Sequence, residues 1–197
     1  MGKTVYNKRR NIGGPVRMRL FIAIEISNDM RRELAAMSKT LKGVSTGGRF
    51  VPAENLHITL RFIGESEDLA GAVSAMREAC RDIRPFTLKL GRYGFFEKTA
   101  SGNHRVALVT VEGELNELNV LHESLEAALA DCGFPRDHKR YSPHITLGRS
   151  VEHDELAAGE LQAIPLSAEA AVTGITLFES TRVNGRMVYT PLHRERF

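Results

Sequence analysis

Leu20 to Ile26, LFIAIEI, is a nearly unbroken apolar run with β-branched residues, which predicts a strand buried on both faces. Ser27 follows in position to cap a helix, and Met30, Leu34, Met37 and Leu41 then recur at spacings of three and four up to Gly43. That spacing lines one face of a helix. A Gly/Ser/Thr-rich loop leads to a short extended piece at Phe50 and Val51 and to a strand over residues 56–63. A second helix is predicted over 67–82, with Pro85 marking its end, and an alternating strand over 86–90. The order then recurs as strand 106–111, helix 114–132 closed by Gly133, strand 144–148, helix 152–162 and strand residues around 175–178. Val183-Asn184-Gly185-Arg186 lies between two strand-like runs, and Asn-Gly there predicts a two-residue hairpin turn.

The tetrapeptide His-Ile-Thr-Leu stands at the centre of this recurrence, at His57 to Leu60 and again at His144 to Leu147. The same offset of 87 residues lays Leu20 on Ala107, so the leading strands align without a gap. Each half reads β-α-β-α-β with the tetrapeptide on its middle strand. The expectation is an α+β fold of two pseudo-symmetric lobes facing one another in one compact unit.

Side chains of a strand alternate between its faces, so His and Thr at i and i+2 project together while Ile and Leu bury on the other side. Two such strands would present a pair of imidazoles and a pair of hydroxyls across a cleft. Phosphodiester cleavage needs a base for the incoming nucleophile and an acid for the departing oxygen, and histidine serves as either near neutral pH. The Thr59 and Thr146 hydroxyls could donate to non-bridging oxygens, and an arginine would add a charge-assisted clamp. Arg149, just after the second motif, and Arg61, on the face predicted for His57 and Thr59, are the candidates. A single His-x-Thr is more often a satisfied polar pair; two in matched contexts favour catalysis by His57 and His144. His-x-Thr offers one good metal ligand per strand and no carboxylate pattern, so no metal site is expected. His104, His122, His138, His153 and His193 lack this setting and read as surface residues.

Composition narrows the class. With 42% hydrophobic and 26% charged residues in 197, the chain reads as globular, and no run of about 18 apolar residues suggests a membrane span. The basic start, MGKTVYNKRRNIGGPVRM, lacks the apolar segment of a secretory signal, so a cytoplasmic location is expected. Cys80 and Cys132 show no metal or CxxC spacing and read as structural thiols. The net charge of +3 is concentrated at one end. Five of the 27 basic residues lie in residues 1–17 with no acid, leaving 22 against 24 acidic residues in the body. Residues 1–17 are thus expected to be a flexible basic extension, residues 18–197 a single catalytic domain, and net charge is weak support for a polyanionic partner.

The chain resembles the two-histidine phosphoesterase superfamily, and within it the RNA 2′,3′-cyclic phosphodiesterases, also called 2′-5′ RNA ligases. The resemblance rests on MRLFIAIEI, RFVPAENLHITLRFIGE, PFTLKLGRYGFF, YSPHITLGR and ITLFESTRVNGRMVYTPL in that order. It implies two antiparallel sheets lining a central groove, and hydrolysis of terminal 2′,3′-cyclic phosphate to a 2′-phosphate without metal or other cofactor. It further implies His57 as the acid at O3′, His144 as the base that activates water, Thr59 and Thr146 as phosphate-binding hydroxyls, and Arg149 near phosphate. Pseudo-symmetry makes the two histidine roles easy to exchange. The expected partner is an RNA 3′ end or a small cyclic nucleotide, with no DNA sequence recognition and no membrane, and the protein a monomer. Phe50, Phe95, Phe96 and Tyr141 are candidates to hold the terminal base. The alternatives are 2′-5′ ligation, hydrolysis of another 2′-5′ or cyclic nucleotide diester, and a binding module without turnover. Two departures, the extension at 1–17 and the polar stretch KTASGNH at 98–104, lie outside the motifs.

Overall fold

The computed structural model describes residues 17–96 and 105–197. The expectation of a flexible extension falls, except for Arg17, outside the described residues, as does the 98–104 stretch. Arg17 pairs with Glu67 at 3.2 Å.

The chain runs β1 (Met18–Glu25), α1 (Asn28–Val44), β2 (Gly47–Phe50), a 3-10 turn (Ala53–Asn55), β3 (His57–Ser66), α2 (Leu69–Cys80) and β4 (Phe86–Phe96). It continues through β5 (Arg105–Gly113), α3 (Leu115–Asp131), β6 (His144–Glu152), α4 (Glu155–Ala163), β7 (Glu169–Val172), β8 (Gly174–Val183) and β9 (Arg186–Arg196). The helix starts follow the predicted chemistry. Ser27 Oγ accepts from Met30 N at 3.1 Å, and Met30, Leu34, Met37 and Leu41 are all buried. Asp68 and Asp154 cap α2 and α4 in the same way. The Asn184-Gly185 turn has φ of 48° and 80°, the two left-handed residues of the expected hairpin.

All strand pairings are antiparallel, in the order β7-β4-β5-β6-β3-β1-β8-β9, with β2 attached to β6. The fold is thus α+β as expected, but the sequence halves are interleaved within it. β4 belongs to the first half and pairs with β5 of the second; β8 belongs to the second and pairs with β1 of the first. The two groups of four strands are continuous as one sheet, joined through Ile58↔Ile145.

That joint lies in a row of four aliphatics across the central strands, Ile24↔Ile58↔Ile145↔Val109, none more than 2% exposed. They pack with the inner faces of α1, α2 and α3 in one core. The opposite face of the sheet carries the histidines and threonines.

The register also corrects the repeat. Ala23 pairs with Thr59 and Leu108 with Thr146, so the leading strands correspond at an offset of 85, although the tetrapeptides stand 87 apart. A difference of two preserves side-chain alternation, so the pattern alone could not reveal it.

Each Ile of the joining row contributes about 1.5–3 kcal/mol by burial. Ile145→Ala is expected to lower unfolding free energy by about 2–5 kcal/mol in urea titration; a loss under about 1 kcal/mol would contradict a core centred on this row.

Candidate active site

Four side chains meet where β3 and β6 join. Carrying the Ile58↔Ile145 register one residue to each side sets His57 across from Thr146 and Thr59 across from His144. Opposed residues share a face, so each imidazole has one hydroxyl two residues along its own strand and another across the strand gap.

The imidazoles are held alike. His57 Nδ1 lies 2.7 Å from Asn55 O, and His144 Nδ1 lies 2.7 Å from Ser142 O. A carbonyl only accepts, so Nδ1 carries the proton in both rings and the neutral form turns an unprotonated Nε2 toward the site. Nε2 of His57 is 3.0 Å from Thr59 Oγ1, which donates to it in this state. Two main-chain carbonyls, each at position −2, therefore set the tautomers. The motif HITL by itself does not contain them.

The surroundings differ on the two sides. Phe21 lies 4.9 Å from the His57 ring and Tyr189 meets that ring edge-on at 5.4 Å; Phe21 also contacts Phe62, Phe178 and Tyr189. Burial holds the His57 pKa below the ordinary histidine value against the opposing effect of the Asn55 carbonyl, and the Arg149 and His144 charges push it down further. His144 is met by Phe96, edge-on at 5.1 Å. Glu25 lies across from His57 on β1, but its carboxylate accepts from Arg194 at 2.7 Å and from Thr176 at 2.6 Å, and the Arg194 contact lowers its pKa.

Arg149 reaches the site face and Arg61 does not, and one device explains both. Leu60 and Leu147 are each an extra residue in the ladder: Ile22↔Arg61 is followed by Ala23↔Thr59, and Ala107↔Gly148 by Leu108↔Thr146. Past such a bulge the alternation reverses, which turns residues 62 and 149 onto the face of the histidines and residues 61 and 148 away from it. Phe62, 57% exposed, and Arg149, also exposed, therefore occupy equivalent places. Arg61 is 8% exposed and ion-paired with Glu126 at 2.9 Å and Asp137 at 3.5 Å, and it donates to Pro135 O. Its expected phosphate role is withdrawn.

Of the four aromatics proposed to hold a base, Phe96 alone touches a motif histidine. Phe50 lies under Lys42, Phe95 beside His153, and Tyr141 stacks on His122 at 3.9 Å. Phe21, Phe62, Phe178 and Tyr189 were missed because LFIAIEI reads as a doubly buried strand and a bulge leaves no mark in sequence. Three supposed surface histidines are half-buried and engaged: His122 with Tyr141, His153 with Tyr93 Oη at 2.7 Å, and His193 with Glu195 at 2.8 Å. Cys80 is buried, its thiol pushed up to about 12, and Cys132 is half-buried; both are free. Among the described residues no three His, Cys, Asp or Glu side chains cluster to hold a metal, and no helix is long and apolar enough to cross a membrane.

Residues 28–184 match the family described as the 2′-5′ RNA ligase superfamily. The chain is 37% identical over 134 residues to the RNA 2′,3′-cyclic phosphodiesterase of Archaeoglobus fulgidus, covering 67% of this chain and 72% of the relative. It is 32% identical over 180 residues to the Escherichia coli K12 protein of the same name, covering 89% and 94%. Its fold is similar to that of E. coli LigT complexed with 3′-AMP, with a TM-score of 0.73 and 29% identity over 92% of this chain and 98% of that one.

NMR titration of the His57 Cε1 proton is expected to give a midpoint below the ordinary value of about 6.5. Arg149→Ala should move it upward, since removing a nearby cation favours the imidazolium. A midpoint above 6.5, or no movement in the variant, would contradict the arrangement.

Proposed function

We propose, since this chain belongs to the 2′-5′ RNA ligase superfamily, that it hydrolyses RNA terminal 2′,3′-cyclic phosphate to a 2′-phosphate. The observation that carries the proposal is the crossed quartet, His57 with Thr146 and Thr59 with His144, on one face of the β3–β6 joint. The relatives named RNA 2′,3′-cyclic phosphodiesterase support the substrate class.

In this reading the phosphate sits over the joint between the two Nε2 atoms. His144 takes a proton from water as the water oxygen bonds to phosphorus; the P–O3′ bond breaks, and His57 delivers a proton to O3′. The product keeps its phosphate on O2′. Each proton transfer supplies about 10² to 10⁴ in rate. Thr59, Thr146 and Arg149 stabilise the charge gathering on the non-bridging oxygens. A ribose 2′-oxygen is part of the reacting ring, so DNA is excluded without any base being read.

The aromatic group beside His57 supports this division of roles. Both ester oxygens of the ring belong to the ribose, so the nucleoside lies on the leaving-group side and water enters opposite. Exposed Phe62, backed by Phe21, gives the terminal base a surface on that side. Burial disfavours the His57 imidazolium in the free protein, and a bound phosphate anion restores it.

Three outcomes are expected. Wild type turns over a short RNA ending in 2′,3′-cyclic phosphate in EDTA, whereas His57→Ala and His144→Ala each lose at least about 100-fold; no turnover between pH 5 and 8 would remove the proposal. The upper-pH limb that reports protonated His57 should lie higher in kcat than in kcat/KM, because substrate lifts that pKa; coincident limbs would count against His57 as the acid. Phe62→Ala should raise KM for a cyclic mononucleotide by about 5- to 100-fold, the worth of one stacked base, and an unchanged KM would place the base elsewhere.

A further inference from the structure

Arg49 on β2 is paired directly across the ladder with Arg149 on β6. The faces follow from the neighbours: Phe50, next along β2, packs against the core opposite Gly148, so Arg49 stands with Arg149 on the face of the histidines. Both guanidiniums are exposed, and neither has an acidic partner among the described residues. Among the described residues, the Arg49 guanidinium donates only to Ser150 Oγ, at 3.4 Å. Glu152, the nearest acid by register, lies against Gly47 and forms no ion pair with either.

Like charges directly opposed on a ladder are destabilising. Ser150 adds a second cost beside them, a non-glycine residue at φ 53° immediately after Arg149. That kink and the Leu147 bulge together aim Arg149 beside Arg49. The like-charge cost of the Arg49–Arg149 pair is one that an anion held between the two guanidiniums would offset.

β2 attaches to β6 on the side from which β3 also approaches, so Arg49 borders the β3–β6 joint where the reacting phosphate would lie. One guanidinium suffices for that phosphate, and Arg149 is the one whose charge is felt at His57.

We propose that Arg49 binds a second phosphate of the substrate, the internucleotide phosphodiester next to the terminal cyclic phosphate, so that the site is built for an oligonucleotide end rather than for a cyclic mononucleotide. This deepens the preceding proposal and rests on it. The contact is a charge-assisted hydrogen bond to an anion that a mononucleotide lacks.

The test compares kcat/KM on a 2′,3′-cyclic mononucleotide and on a dinucleotide ending in the same cyclic phosphate, for wild type, Arg49→Gln and Arg49→Lys. Wild type should favour the dinucleotide. Arg49→Gln should cut its kcat/KM by about 10-fold or more, the usual worth of a hydrogen bond to a charged group, while the mononucleotide changes by less than about 2-fold. Arg49→Lys, which keeps the charge, should fall between. The log–log salt slope for the dinucleotide should shrink by about 0.7 in Arg49→Gln, one phosphate contact on a single strand. Melting without added anion checks the fold: Arg49→Gln should melt no lower than wild type, since it relieves a like-charge pair. Equal losses on both substrates would overturn the proposal by placing Arg49 on the reacting phosphate or in the fold, and no loss on either would overturn it as well. Wild type inert toward both substrates would instead defeat the underlying activity.

Discussion

One pairing, Ile58 against Ile145, holds both halves of the candidate site in register. Its two side chains are buried with Ile24 and Val109, so sliding β3 past β6 by one residue would carry isoleucines into solvent and histidines into the core. The hydrophobic row that fastens the sheet therefore also fixes the spacing of His57, Thr59, His144 and Thr146. Both tautomers are settled close by, at the carbonyls of Asn55 and Ser142, before any substrate arrives. Asn55 is itself anchored, its amide donating to Met187 O at 2.8 Å.

The bulges at Leu60 and Leu147 give the repeated tetrapeptide a second use. In a regular strand the position four after each histidine would share its face. Here the position five after it does, and the two copies fill that place differently, with Phe62 on β3, in contact with Phe21, and Arg149 on β6, whose charge reaches His57. Two alike imidazoles thus stand between an aromatic side chain and a cationic one.

The reach of the sequence follows the range of the interactions involved. Helix α1 was legible because its cap and its buried stripe are local, and the hairpin turn because Asn184 and Gly185 carry its φ angles themselves. The histidines and threonines were legible because a strand's alternation is a property of consecutive residues. The exchange of β4 and β8 between groups of strands was hidden, since pairing is decided by distant partners. β2 was legible only at its end, as the extended piece at Phe50 and Val51: Gly47-Gly48-Arg49 shows no alternating apolar pattern and becomes strand beside the end of β6. Arg61 was misplaced for the same reason that Phe62 was missed, because a bulge at an ordinary leucine leaves alternation intact on paper and reverses it in space.

Opposed placement of the acid and the base about phosphorus is the central claim, and the position of the product phosphate reports it most directly. A dinucleotide 2′,3′-cyclic phosphate would be followed by ³¹P NMR during turnover without metal. The account predicts a 2′-phosphate alone, the outcome of water entering opposite O3′ with the nucleoside held beside His57. A 3′-phosphate, or a mixture of the two, would contradict it.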